Sequence, residues 1–247
     1  MPSPSDPDPA FHPTRWSLVW LARGEGKAAA RALNELCALY HYPLYCFARR
    51  RGLSPEDAAD ATQDLFADLI AKDRFAEADE AKGRLRSFLL QAFVWHLDRR
   101  WEKAHRECHD KRLTVSLDEE LAREDRYLRE PATNQTPETI YHRSWAMQLL
   151  ATSLATVEKA WADTGRAEAF TILKPFLGGA WKSGENYTAA AAALGITVNA
   201  AHQRVSLLRR DFRERLLAEI RETIATDDPA AIEEELHFLY RALGDQM

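Results

Sequence analysis

Residues 187–215, YTAAAAALGITVNAAHQRVSLLRRDFRER, leave little room for anything but two helices joined by a tight turn. Thr188 to Leu194 reads as a short alanine-rich helix. Gly195 tolerates positive φ just past its end, and Thr197 is placed to cap a second helix. Alanine lets the two helices approach closely. In the second helix Val198, Ala201, Val205, Leu208 and Phe212 recur at intervals of three and four, which predicts one buried stripe. The opposite face gathers Asn199, His202, Gln203, Ser206 and Arg210, with Arg204, Arg209 and Arg213 at its margins. Such side chains suit base edges in a major groove flanked by phosphates. Any amphipathic helix pair with a solvated polar side shares the periodicity. The small-residue helix, the Leu-Gly-Ile-Thr turn and the arginine-ended second helix together favour DNA contact.

A chain of 247 residues has room for two domains of ordinary size. No run approaches the roughly 18 consecutive apolar residues that span a bilayer, and the start, MPSPSDPDPAFHP, lacks the pattern of a secretory signal. A cytoplasmic protein without membrane contact is the expectation. Cys37, Cys46 and Cys108 leave one thiol unpaired under any disulfide scheme, so reduced thiols are expected. His105, Cys108 and His109 form a ligand-rich cluster, but no second cluster at a structural-zinc spacing accompanies it, and no metal or cofactor is expected. The formal charge of −5 sits poorly with unaided DNA binding, because nonspecific affinity comes from neutralising phosphates. Basic residues nonetheless concentrate in 84–112 and 204–215, while acids dominate the preceding helix, the linker and the tail. That separation implies two kinds of partner, nucleic acid for the basic faces and a basic protein surface for the acidic ones.

Residues 1–13 are rich in proline, serine and aspartate and are expected to be a disordered lead-in. Leu33, Leu36, Cys37 and Tyr40 mark a helix face that Pro43 should end or kink, with Leu44 to Arg51 continuing to a stop at Gly52. Ser54-Pro55-Glu56-Asp57 is a cap followed by proline, and predicts a helix to about Ala71 with Ala58, Ala61, Leu65, Phe66 and Leu69 buried. Asp57, Asp60, Asp64 and Asp68 fall within about 80° of one another on another face. Acids so spaced repel by a few tenths of a kcal/mol per pair, and no lysine or arginine lies within residues 57–70. A solvated face is the ordinary explanation; a basic partner helix would account for the cost. Exposed acids on one helix have no means of separating their pKa values, so a catalytic carboxylate pair is not expected.

The segment GRLRSFLLQAFVWHLDRRWEKAHR predicts a third long helix that buries Leu85, Phe88, Leu89, Ala92 and Phe93. Arg84, Gln91, Trp95, Arg99, Glu102 and Arg106 project from its other side, and an aromatic beside arginines suits unstacked bases. Packing of Trp95 and Trp101 on a neighbouring helix is the competing reading. From 111 to 135 the hydrophobic period fades into an acidic linker. Thr136-Pro137-Glu138 then starts a helix through Trp145, Leu149 and Leu150, and another covers Ala167 to Phe176. Asp228-Pro229 opens an acidic helix whose Ile232, Leu236, Leu239, Tyr240 and Leu243 are spaced to dock, expectedly on the second domain. No strand pattern, internal repeat or glycine-rich phosphate loop is present. The expected fold is all-α, with two helical domains joined by an acidic flexible linker and a C-terminal helical extension: lead-in 1–13, first domain 14–110, linker 111–135, second domain 136–224 and extension 225–247.

In their order, TRWSLV, YHYPLYCFARRRG, SPEDAADATQDLF, GRLRSFLLQAFVWHLDRR and YTAAAAALGITVNAAHQRVSLLRR resemble a bacterial RNA polymerase sigma factor. The likeness is to the extracytoplasmic-function type of the sigma-70 family, in a planctomycete-like group with extended termini. The resemblance implies a non-enzymatic protein that binds core RNA polymerase through its clamp helices and flap and directs transcription initiation at two promoter elements. Asp60, Gln63 and Asp64 match the family's clamp-binding positions, and Asp57 lies on the same ridge. Phe75, Gln91, Trp95 and Arg99 fall in the stretch that captures bases of the downstream −10 element, with Arg84 and Arg100 beside them. Thr197, Asn199, His202, Gln203, Arg204, Ser206, Arg209 and Arg210 fall where the second helix of the motif meets the upstream −35 element. Ala189 stands where an acid is usual, Trp95 where asparagine is common, and His202 where lysine or arginine is usual. An anti-sigma factor is a further partner the family allows; no small-molecule substrate is implied. The alternative is a stand-alone helix-turn-helix regulator, which would bind duplex DNA without polymerase and dimerise on paired half-sites.

Overall fold

The computed structural model describes residues 15–22, 24, 26–71, 84–104, 124–127, 135–178, 184–224 and 226–244, and every regular element among them is helical. The helices are α1 (Arg15–Ala22), α2 (Lys27–Arg50), α3 (Pro55–Ala71), α4 (Leu85–Ala104), α5 (Pro137–Asp163), α6 (Ala167–Leu173), α7 (Gly184–Ala193), α8 (Val198–Ile224) and α9 (Pro229–Gly244). A 3₁₀ turn, Lys174–Gly178, continues α6. None of the described helices is long and apolar enough to cross a membrane.

The starts of these helices follow their capping residues. Ser54 Oγ accepts the Asp57 amide at 3.0 Å and donates to the Asp57 carboxylate at 2.8 Å. Thr136 Oγ1 accepts from the Thr139 amide and Asp228 Oδ1 from the Ala230 amide, so α5 and α9 begin in the same way. Gly52 ends the turn after α2 at φ 94°.

Pro43 neither ends nor interrupts α2, which runs unbroken through it. Proline removes one helical hydrogen bond. Here Leu39, Tyr40, Tyr42, Leu44, Tyr45, Cys46 and Phe47 are all buried around it, and that apolar burial outweighs the lost bond.

The described residues form two compact units. One takes in the residues up to Met147 together with those from Arg221 onward, and the other spans Gln148–Ile220. The division falls inside α5 and α8, and it assigns the first turns of α5 and all of α9 to the first unit. Helix α9 packs on Arg84 and Arg86 of the expected first domain as well as on His142 and Trp145 of the expected second, so the expectation that it docks on the second domain alone is met only in part.

The physical reason lies at the first turn of α4. Glu235 of α9 is wholly inaccessible and ion-paired with Arg86, itself only 4% exposed. Arg84 Nε lies 2.9 Å from the other oxygen of Glu235, and Arg84 also reaches Glu234 at 3.2 Å. The Arg86 guanidinium stands over the rings of Phe238, 4.0 Å away, and Trp145, 4.9 Å away. Tyr141 donates its hydroxyl hydrogen to the Arg86 carbonyl at 2.9 Å. Burial pushes the Arg86 guanidinium below its ordinary pKa, with Glu235 acting against that shift. His142 packs edge-on against Phe238, 5.1 Å between centroids, and its buried Nδ1 finds no hydrogen-bond partner among the described residues. Burial, with the nearby Arg86 charge, pushes this imidazole down to about 4, with Glu138 acting weakly the other way.

The expected linker is also partly anchored. Residues 124–127 form a helical turn whose Glu124 takes a bidentate hydrogen bond from Arg49 of α2, at 2.8 and 3.0 Å, and another from the Tyr45 hydroxyl. Arg126 stacks over Tyr42 at 3.7 Å, and Arg49 lies over Tyr127 at 5.2 Å. A fork-to-carboxylate pair of this kind has the geometry to hold an otherwise polar segment in place. Burial pushes the Cys37 thiol up to about 11, consistent with an unreactive group. Cys108, with His105 and His109, lies outside the described residues.

Glu235→Ala leaves the buried Arg86 charge without its carboxylate, and urea denaturation should show a loss of about 3 kcal/mol or more. Stability should also fall on acidification. Between about pH 6.5 and 4 an unfolded His142 takes up a proton that the folded, buried imidazole refuses, so the folded state loses ground as pH drops through that window. The unfolding midpoint of His142→Phe should decline less between pH 7 and 5 than that of the unaltered chain.

Candidate nucleic-acid interface

The second unit is built around the helix-turn-helix. Trp161, Phe170, Leu173, Phe176, Tyr187, Ala190, Ala191, Ala201, Val205 and Leu208 form one buried cluster, so α5, α6, α7 and α8 all brace the motif. Helix α7 begins at Gly184, four residues ahead of the expected start at Thr188, and Gly195 turns the chain at φ 62°. The Ile196 amide donates to the Ala191 carbonyl at 3.0 Å across that turn. Thr197 Oγ1 then caps α8 by accepting from the Ala200 amide at 3.2 Å. Trp161 Nε1 donates to Asp211 at 3.0 Å and ties α5 to the middle of α8. Of the expected stripe, Ala201, Val205 and Leu208 are buried and Phe212 is half-buried, but Val198 at the first turn is exposed.

Thr197, Asn199, His202, Gln203, Arg204, Ser206 and Arg210 are all exposed, which leaves one polar face of α8 open. Arg209 is different. It is half-buried and donates from its guanidinium to the Phe176 carbonyl at 3.1 Å, so it closes the end of the 3₁₀ turn. Arg210 stands 3.6 Å from Asp211 and 3.8 Å from Glu214, which dilutes its charge. Arg204 at the margin of this face is exposed. His202 lies flat against Tyr187 of α7, with centroids 3.7 Å apart and planes 17° from parallel.

In the first unit, α4 presents Gln91, Trp95 and Arg99 one helical turn apart, all exposed, with Trp95 at 55%. Trp101 is 65% exposed, so neither tryptophan is taken up by the core. Of the other expected members of this face, Arg84 and Arg100 are engaged elsewhere. Arg84 is held by Glu234 and Glu235, and Phe75 lies outside the described residues. Arg100 turns to the acidic ridge of α3, hydrogen-bonding Asp64 and lying 4.0 Å from both Asp57 and Asp60.

Repulsion along the ridge is thus relieved from within the chain. Sequence spacing within α3 could not show this, because the cation comes from another helix. His96 Nδ1 of α4 also lies 3.8 Å from Asp68. Partial burial raises the Asp60 pKa; Asp64, Asp57 and Glu56 add to the rise, and Arg100 opposes it. Gln63 and Asp64 remain half-buried and Asp57 exposed, so the ridge still presents a negative face. Beside it lies a cleft of about 730 Å³ lined in part by Arg51, Leu53, Leu97, Arg100 and Trp101, which nothing in the sequence spacing marked. Arginine and tryptophan around an apolar floor are the side chains that anchor protein interfaces.

No family model matches the chain, no curated protein matches it, and no solved structure matches it.

Arg100→Gln removes the one cation among the described residues that reaches three of the ridge acids at once. Carboxyl titration by NMR should then show the Asp60 pKa rising further above its value in the unaltered chain. An unchanged Asp60 titration would mean that Arg100 does not offset the ridge in solution.

Proposed function

We propose that the chain is a sigma factor, a protein that binds core RNA polymerase and directs initiation at promoters by reading a −10 and a −35 element. The observation that carries this reading is the neighbouring of two unlike surfaces on α3 and α4, an acidic ridge and an exposed Gln91–Trp95–Arg99 face. A helix-turn-helix alone serves a stand-alone regulator equally well. A second surface suited to unpaired bases, next to one suited to a basic protein helix, fits promoter opening on a polymerase.

In this reading Asp57, Asp60, Gln63 and Asp64 meet the clamp helices. A basic partner would add to the contact Arg100 already makes, in a region where solvent screens less than in open water. Trp95 supplies a stacking surface for a base drawn from the duplex, Gln91 hydrogen-bonds base edges, and Arg99 meets the phosphates. Asn199, His202, Gln203 and Ser206 read the upstream element in the major groove, with Arg204 and Arg210 on its backbone. A net charge of −5 makes intrinsic DNA affinity low. Promoter recognition would then depend on polymerase, and the chain catalyses nothing itself.

The test is capture of core RNA polymerase by the full chain and by Asp60→Lys/Asp64→Lys, with promoter-directed transcription followed in parallel. The unaltered chain should bind and support transcription, and the double reversal should lose both by more than about tenfold, a difference near 1.4 kcal/mol. Asp60→Asn/Asp64→Asn, which removes charge without repelling Arg100, should give an intermediate loss. A folded wild-type chain that ignores polymerase but binds duplex DNA tightly would establish the stand-alone regulator instead.

A further inference from the structure

We infer that Tyr187 is a positioning residue for His202, and that the stacked pair forms a specificity-determining reader of one guanine in the major groove. The inference rests on the proposal that α8 reads DNA, and adds to it which side chain discriminates and what holds it.

His202 is exposed on the polar face of α8, yet its ring is not free to turn. One face lies 3.7 Å from the Tyr187 ring, nearly parallel to it. Tyr187 is buried on α7 and is backed in turn by Phe176 of the 3₁₀ turn, 4.6 Å away at 50°. Three rings from three successive elements therefore adjoin from the core to the surface, the inner pair tilted and the outer pair stacked.

An exposed side chain on a helix ordinarily populates several rotamers, and ordering it on binding costs affinity. A ring laid flat on a buried ring has met that cost during folding. What remains open to a ligand is the imidazole edge. An imidazole N–H donates to a base acceptor, and guanine offers two in the major groove, N7 and O6, where adenine offers N7 beside an amino donor. A lysine or arginine at this position would reach phosphates or bases over a range of geometries. The stacked histidine has one geometry and hence one base pair to read.

The experiment is selection from DNA randomised in the upstream element by the holoenzyme of full chain and core RNA polymerase, comparing the unaltered chain with Tyr187→Phe, Tyr187→Leu, His202→Ala, His202→Phe and Tyr187→Leu/His202→Ala. Unaltered and Tyr187→Phe proteins should prefer guanine at one position. Tyr187→Leu, His202→Ala and the double variant should each lose that preference by about fivefold and to the same extent, the scale of one base contact, with other positions unchanged. His202→Phe keeps a stacking ring without its nitrogens and tests the reader even if Tyr187→Leu unfolds; it too should flatten that position. The inference is overturned if Tyr187→Leu keeps the guanine preference or weakens all positions alike, or if neither His202 variant alters any position. A wild-type holoenzyme that selects no sequence at all overturns the sigma reading itself, and this inference with it.

Discussion

The first unit depends on a buried ion pair, Arg86 with Glu235. Taking two charges out of water is costly, and such a pair adds little net stability compared with apolar residues of the same shape. What it supplies here is selection. An arginine buried at the first turn of α4 accepts only a carboxylate as neighbour, and α9 delivers one between Ile232 and Leu239, which are buried on either side. The same guanidinium lies over Trp145 of α5 and Phe238 of α9, and the residue's carbonyl takes the Tyr141 hydroxyl. One residue thereby ties three helices that are far apart in the chain. The C-terminal helix is part of the first unit for that reason.

Charge placement shapes the surfaces in the same way. Three of the arginines that make the 84–112 stretch look basic are consumed within the chain, Arg84 and Arg86 by α9 and Arg100 by α3. The nucleic-acid face proposed for α4 is therefore narrower than its composition indicates, and would rest on Gln91, Trp95 and Arg99. The ridge of α3 is correspondingly less repulsive than its four acids indicate. The basic partner proposed for this ridge would find a negative face that is already partly balanced, which favours specificity of fit over bulk attraction. On α8 the pattern recurs: Arg209 closes the 3₁₀ turn and Arg210 is shared with Asp211 and Glu214, so imidazole, amide and hydroxyl groups carry most of what α8 can say to a base.

Much of the architecture was legible in the residues. Ser54, Thr136, Thr197 and Asp228 each begin a helix by the local hydrogen bond their type prefers, and Gly52 and Gly195 take the positive φ that ends one. Leu85, Leu89 and Phe93 are buried and Gln91, Trp95 and Arg99 exposed, as their spacing on one helix requires. Pro43 does not end its helix, because a local rule, one missing hydrogen bond, is overridden by burial of the residues around it. Val198 misled because the first turn of α8 extends past the cluster that buries the rest of its stripe.

By itself the sequence determined the all-α class, the capped helix starts, and most of the division of each helix into an apolar and a polar face. Those properties are set by residues within one or two turns of each other, where spacing and capping chemistry are sufficient. Only the tertiary structure decided which charges remain available and which rings are held still. Arg86 meets Glu235, Arg100 meets Asp64 and Tyr187 meets His202 across different helices, and neither charge sign nor aromatic character carries any address. Which partner a buried or half-buried side chain takes is fixed only when the packing of whole helices excludes water from the rest.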